Sequence, residues 1–206
     1  MRAAEVCRHR LSAQFLLTRG PPRARDVVRA LGAVQAQDYA GAKWALSLRA
    51  RNRSDATIEA ELDAGHILRT HVMRPTWHFV SPEDIRWLLA LTSPRVKALM
   101  ASYNRRLELT PAVFRRSHGV IARALADGRH LTRPELKERL EAARIGTVPP
   151  QRLAHLMMEA ELDAVVCSGP RRGTRFTYAL LDERAPPRPV LDRGESPDRL
   201  GRWYFV

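Results

Sequence analysis

Residues 110–180, TPAVFRRSHGVIARALADGRHLTRPELKERLEAARIGTVPPQRLAHLMMEAELDAVVCSGPRRGTRFTYAL, hold the pattern from which the fold is read. Thr110 precedes Pro111 at a first helical position, and Val113, Val120, Ile121, Ala124 and Leu125 form one apolar stripe that stops at Asp127-Gly128, predicting a helix over 111–126. Thr132-Arg133-Pro134-Glu135 places a hydroxyl at an N-cap and a carboxylate three residues on that can reach back. That capping box opens a second helix carrying Leu136, Leu140 and Ala143. Pro149-Pro150 starts a third, with Leu153, Leu156, Met157, Ala160 and Leu162 inward and Gln151, Arg152, His155 and Glu159 on the open side. The β-rich runs 164–168 and 174–180 are joined by Gly169-Pro170-Arg171-Arg172-Gly173, a hairpin loop. Three helices and a hairpin in this order spell a winged helix-turn-helix, with 149–163 in the recognition position and Arg171, Arg172 and Arg175 on the wing.

Upstream the same grammar recurs more loosely. Helices are expected near 8–18, 25–33 and 57–64, with Asp26 in the first turn of the second and Ser54 or Asp55 starting the later one; 42–49 reads as a further helical turn or two. Runs 67–72 and 76–80 read as paired strands. Ser81-Pro82-Glu83-Asp84 then caps a helix through Leu91, which Ser93-Pro94 restarts as a connector to residue 107. The expected fold is mainly α with short β-hairpins, built as tandem winged helix-turn-helix domains: 1–107 with its connector helices, 108–185, and a Pro-rich linker with the start of a third unit in 186–206. Ser196 opening a helix so close to residue 206 predicts a shortened version of a longer protein.

Charge narrows the partner. Among 206 residues, 35 Lys and Arg face 22 Asp and Glu, a formal net charge of +13 with an isoelectric point near 11.1. The basic-to-acidic counts are nine to three in residues 1–50, seven to six in 51–100, ten to five in 101–150 and nine to eight in 151–206, so folded surfaces rather than a tail carry the excess. Apart from Lys43, Lys97 and Lys137 the basic residues are Arg; a coding bias accounts for that ratio as well as function does, yet the guanidinium fork suits phosphate and guanine either way. Double-stranded DNA is the expected partner of a monomeric, cytoplasmic, nucleoid-associated protein. No apolar run approaches the roughly 18 residues that cross a bilayer, and the apolar stretch 15–17 is too brief for a secretory signal. The seven histidines contain no His-x-x-x-His pair, and Cys7 and Cys167 lie far apart and are expected as plain buried thiols, so no metal or cofactor is expected. Eleven scattered glycines form no phosphate cradle, which argues against nucleotide hydrolysis.

Two stretches carry more: LGAVQAQDYAGAKWALSL (31–48) and LRTHVMRPTWHFV (68–80), with FTYALLDER (176–184) behind them. They resemble the AlkZ-type winged-helix DNA glycosylases, the azinomycin-resistance and interstrand-crosslink-unhooking family, over residues 8–205. The resemblance implies a monofunctional glycosylase, a hydrolase, whose catalytic motif of two glutamines around one aliphatic residue would be Gln35-Ala36-Gln37. It also implies a third winged helix and a C-shaped arrangement, and this chain stops as that unit would begin.

The chemistry fits those residue types. A purine alkylated at N7 is a cationic leaving group, so water must be placed rather than deprotonated. A carboxamide cannot act as a base, but it accepts and donates hydrogen bonds, and two can fix one water at the anomeric carbon. Residues i and i+2 share a side only in extended backbone, which requires the helix from Asp26 to end near Val34. Asp38 would bond an amide or cap the next helix. From spacing alone Gln35 and Gln37 read as two solvated side chains at a helix end, and it is the flanking resemblance that turns them to the functional reading. Arg69, His71, Arg74, Arg152, Arg171, Arg172 and Arg175 are the candidate DNA contacts, and Trp77 is expected in the core. Two other outcomes remain: a non-catalytic winged-helix DNA-binding protein, and an inactive remnant of a longer glycosylase.

Overall fold

A computed structural model describes residues 2–17, 20–51, 54–185, 187 and 201 of the chain. Helix α1 (Ala3–Ala13) leads into α2 (Ala24–Leu31), β1 (Ala33–Gln35), α3 (Tyr39–Arg49), α4 (Asp55–Asp63), β2 (Leu68–His71), β3 (Trp77–Val80) and the long α5 (Ile85–Arg106). The same order then repeats as α6 (Pro111–Leu125), β4 (Leu131–Thr132), α7 (Arg133–Ala142), α8 (Pro150–Leu162), β5 (Val166–Ser168), β6 (Thr177–Leu180) and α9 (Leu181–Arg184). Each half holds a three-stranded antiparallel sheet, ordered β1-β3-β2 and β4-β6-β5. The sequence shows both hairpins but not β1 and β4, which are too short to display alternation.

Local signals act as read in the second half. Thr110 Oγ1 accepts from the Val113 amide, Thr132 and Glu135 form the capping box, and Asp127 and Gly128, both at positive φ, end α6. In the first half α3 is a full helix, because Asp38 caps it and Ala42, Lys43 and Leu46 are buried. Helix α1 begins five residues before the expected start at residue 8. It buries none of its side chains, so no apolar stripe marks its ends; Phe15, at positive φ, swings the chain back onto the first core. Cys7 is exposed on it, against the expected burial, whereas Cys167 is buried and its thiol pushed up to about 12 by that burial. The predicted restart at Ser93-Pro94 does not occur: α5 runs through Pro94. Ser93 Oγ donates to the Leu162 carbonyl, and Val96 packs on Met158 and Leu162 of α8, which holds the helix across its lost hydrogen bond.

Ala24, Val27, Val28, Ala36, Leu46, Ile58, Ile67 and Phe79 are among the residues of one core, and Ile121, Leu125, Leu136, Leu140, Leu156, Met157 and Val166 among those of another. A third cluster joins the halves: Leu68, Val80, Ile85 and Leu88 pack with Cys167, Leu181 and Ala185. Helix α8 lies between α5, α6, β2 and β5, so Met158, Glu159 and Glu161 are buried along with the predicted stripe. Glu159 is therefore not on an open side. The expected helix at Ser196 and the stretch 186–189, apart from Pro187, lie outside the described residues.

Candidate active site

Gly32 ends α2 at φ 76°, left-handed backbone that favours glycine, and turns the chain straight into β1. The strand pairs with β3 in the register Ala33↔Val80, Val34↔Phe79 and Gln35↔His78. One step further the Ala36 amide donates to the Trp77 carbonyl (2.7 Å), and Arg69 Nε donates to the Ala36 carbonyl (3.0 Å). The Ala36 methyl is buried in the first core. Residue 36 is thus held at its N–H, its C=O and its side chain, while Gln35 and Gln37 on either side are exposed. Strand β1 ends at Gln35 and the chain bends at Gln37, so the two exposed carboxamides flank a residue held on three sides. Gln37 Oε1 accepts from the Trp77 amide (3.4 Å), and Asp38 caps α3 by accepting from the Gly41 amide (3.1 Å). At the matching place in the second half, β4 runs directly into α7. The three residues Ala36, Gln37 and Asp38 between β1 and α3 have no counterpart there.

Behind this segment lies a stack of guanidiniums and rings. By register Arg69, Phe79 and Val34 share one side of the sheet, and Trp77 and Ala36 lie one step along on the same side. The Arg69 guanidinium lies over Trp77 (4.3 Å), Phe176 (4.9 Å) and Tyr39 (5.7 Å). Arg171 lies over Phe176 (5.2 Å) and Tyr39 (5.3 Å), and Arg133 over Trp77 (5.6 Å). Glu161, from α8, is the buried carboxylate here: its Oε2 accepts from the His71 amide (2.7 Å) and sits 2.5 Å from His71 Nδ1, and Oε1 accepts from Trp77 Nε1 (3.4 Å). Arg133 donates to the Tyr178 hydroxyl (2.8 Å), whose pKa burial pushes up to about 12. Burial lowers the Arg69 pKa and raises that of the Tyr39 phenol, which donates to Glu59 (2.8 Å). Burial would also raise Glu59, but hydrogen bonds from Lys43 and Tyr39 hold its carboxyl below the usual range.

The predicted contacts divide. Arg74, between β2 and β3, and Arg175, on the second wing, are exposed. Arg172 is half-exposed and donates to Glu135 Oε1 (2.7 Å) and the His130 carbonyl (2.6 Å). Arg69 and His71 lie in the stack, and His71 is only 7% exposed, which departs from the expectation of a surface phosphate contact. Arg171, expected free on its loop, bonds Asp63 Oδ1 through its amide (2.8 Å) and reaches Glu59 (3.4 Å), tying the second wing to α4. Arg152 is drawn away from the site: it donates to the carbonyls of Gly146 (2.7 Å) and Leu107, where α8 meets the connector. Trp77, expected in the core, is half-buried at the site. Sequence reasoning missed Tyr39, Arg133, Glu161 and Phe176. Only Glu161 left a signal, a carboxylate between Ala160 and Leu162 in the apolar run of α8. Among the described residues no group of His, Cys, Asp and Glu is arranged to hold a metal ion, and no helix is long and apolar enough to cross a membrane.

The chain is 31% identical over 180 residues to an interstrand DNA cross-link repair glycosylase of Streptomyces sahachiroi, a span of 85% of this chain and 48% of the relative. Its fold superposes on the solved structure of the Streptomyces sahachiroi DNA glycosylase AlkZ with a TM-score of 0.80 and 28% identity, covering 95% of this chain and 54% of that one. The chain thus spans about half the length of these relatives. Residues 28–205 match the DNA glycosylase AlkZ-like family, which with the repeated winged-helix order and the Gln35-Ala36-Gln37 segment at the end of β1 places the chain in that family.

Proposed function

We propose that the protein is a monofunctional DNA glycosylase that hydrolyses the N-glycosidic bond of N7-alkylated or crosslinked purines in duplex DNA, with Gln35 and Gln37 placing the water. Its role would be repair and self-resistance to a genotoxin, carried out as a monomer on the nucleoid in the cytoplasm. The observation that carries this is the pinning of Ala36 between two exposed carboxamides at the end of β1. In the reaction the C1′–N9 bond breaks with its electron pair going to the cationic purine, which leaves neutral. The water oxygen bonds to C1′ of the oxocarbenium-like sugar and its proton passes to solvent. The carboxamides orient that water and do not titrate. A bulky crosslink cannot be flipped into a closed pocket, so a surface segment suits the substrate. Arg74, Arg172 and Arg175 supply phosphate contacts on either side.

A sequence-specific regulator fits less well. The recognition-position helix of the first unit, α4, carries Asp55, Glu59, Glu61 and Asp63, and that of the second, α8, is enclosed. Neither offers a basic face to a major groove. The test is release of N7-methylguanine from duplex DNA, scored as abasic sites. Gln35→Ala and Gln37→Ala are each expected to slow release by about 100-fold; undiminished release in both removes the assigned role.

A further inference from the structure

We infer that Arg69 is a positioning residue for the glutamine pair: its Nε–H, held in the aromatic stack, locks the Ala36 carbonyl and thereby the backbone between Gln35 and Gln37. The inference rests on the reading of that pair as the water-placing groups. Strand pairing alone does not secure the segment. The ladder between β1 and β3 ends at Gln35↔His78, and after the Ala36 amide no strand partner remains for the backbone of residues 36 and 37. An unbonded Ala36 carbonyl would leave the peptide joining residues 36 and 37 free to rotate, and that rotation re-aims the Gln37 side chain relative to Gln35.

Arg69 is placed to prevent it. It sits on β2, two strands from β1, on the same side of the sheet as Val34 and Ala36, and its stem crosses Trp77 of β3 to reach the carbonyl at 3.0 Å. Trp77 at 4.3 Å and Phe176 at 4.9 Å fix the guanidinium plane, and Trp77 also supplies the carbonyl that accepts from the Ala36 amide. The rings that orient the guanidinium therefore come from both winged-helix units. Lysine at this position would keep the charge but lose the in-plane Nε–H and the flat surface that stacks.

The test uses the full chain and single-turnover release of N7-methylguanine, with duplex affinity, thermal melting and amide hydrogen exchange of the peptide covering residues 33–40 measured on the same variants. Arg69→Lys is expected to lower the release rate about 10- to 100-fold, to leave DNA affinity within about twofold, and to raise exchange at residues 36–38, with a melting midpoint close to the parent's. An unchanged rate overturns the inference. So does a rate loss matched by an equal loss of affinity, which would make Arg69 a DNA contact. If the parent protein releases no base at all, the glycosylase reading fails. Hydrogen exchange then decides on Arg69 alone: unchanged protection at residues 36–38 in Arg69→Lys overturns it, and faster exchange upholds the lock.

Discussion

Glu161 shows how one side chain holds the site to the rest of the molecule. It is 1% exposed, belongs to the second unit, and bonds two residues of the first, His71 and Trp77. Its charge also faces Arg69 and Arg133, the two guanidiniums that lie against the Trp77 ring. Removing it leaves half-buried cations without their counterion, which costs more than the hydrogen bonds themselves. Glu161→Leu is expected to lower stability by about 3–5 kcal/mol in urea denaturation. Glu161→Gln, which keeps one acceptor oxygen for either the His71 or the Trp77 N–H, is expected to lower it less. Equal stability of Glu161→Leu and the parent would show that the carboxylate carries no such burden. From sequence, Glu161 shows only as a carboxylate in an apolar run; the partner that it meets there is on β2, 90 residues away along the chain.

Among the elements, α7 is the one whose start is written in its own residues. The Glu135 carboxylate accepts from the Thr132 amide and hydroxyl (both 2.7 Å) and from Arg172. The Thr132 backbone and side chain, with Arg172, hold its pKa down to about 2 from an ordinary value of 4.5. A folded-state pKa below the unfolded one means that the unfolded chain takes up the proton first. The contribution of Glu135 to stability is therefore complete above about pH 4.5 and lost as pH falls toward 2. Glu135→Ala is expected to be less stable at neutral pH and to lose less stability than the parent between pH 4.5 and 2, followed by helical circular dichroism in urea; parallel curves would refute this. Elements with such private signals, α6, α7 and α8, start where sequence places them. Helix α1 has no buried side chain and so no apolar stripe to mark its start, and α5 is carried through Pro94 by packing on α8, so neither follows the sequence signals.

At the scale of the whole molecule, the net charge of +13 and the placement of the arginines make separate statements. The guanidiniums of Arg171 and Arg184 are turned to α4, Arg171 to Glu59 and Arg184 to the Leu62 and Asp63 carbonyls; Arg86 binds Asp182 and the Ala185 carbonyl. Arg74 and Arg175 are exposed, and under the proposed function they belong to the smaller set open to DNA. Removing either with Ala is expected to weaken duplex binding regardless of sequence and to reduce the slope of log affinity against log salt by about 0.9 each. Arg152→Ala is expected to leave the slope unchanged and to lower the melting midpoint. A slope that moves with Arg152 and not with Arg74 or Arg175 would reverse the assignment. The sequence by itself determined the helix caps, the two hairpins and the tandem winged-helix order, because those depend on neighbours within a few positions; the pair at 35 and 37 stood out only through resemblance to a known family. Only the tertiary structure decided that Arg69, Arg171 and Glu161 would meet at Trp77 and Tyr39 and that α8 would be enclosed. Those outcomes depend on how the two units pack through Leu68, Cys167 and Leu181, and burial between distant segments leaves no local periodicity to read.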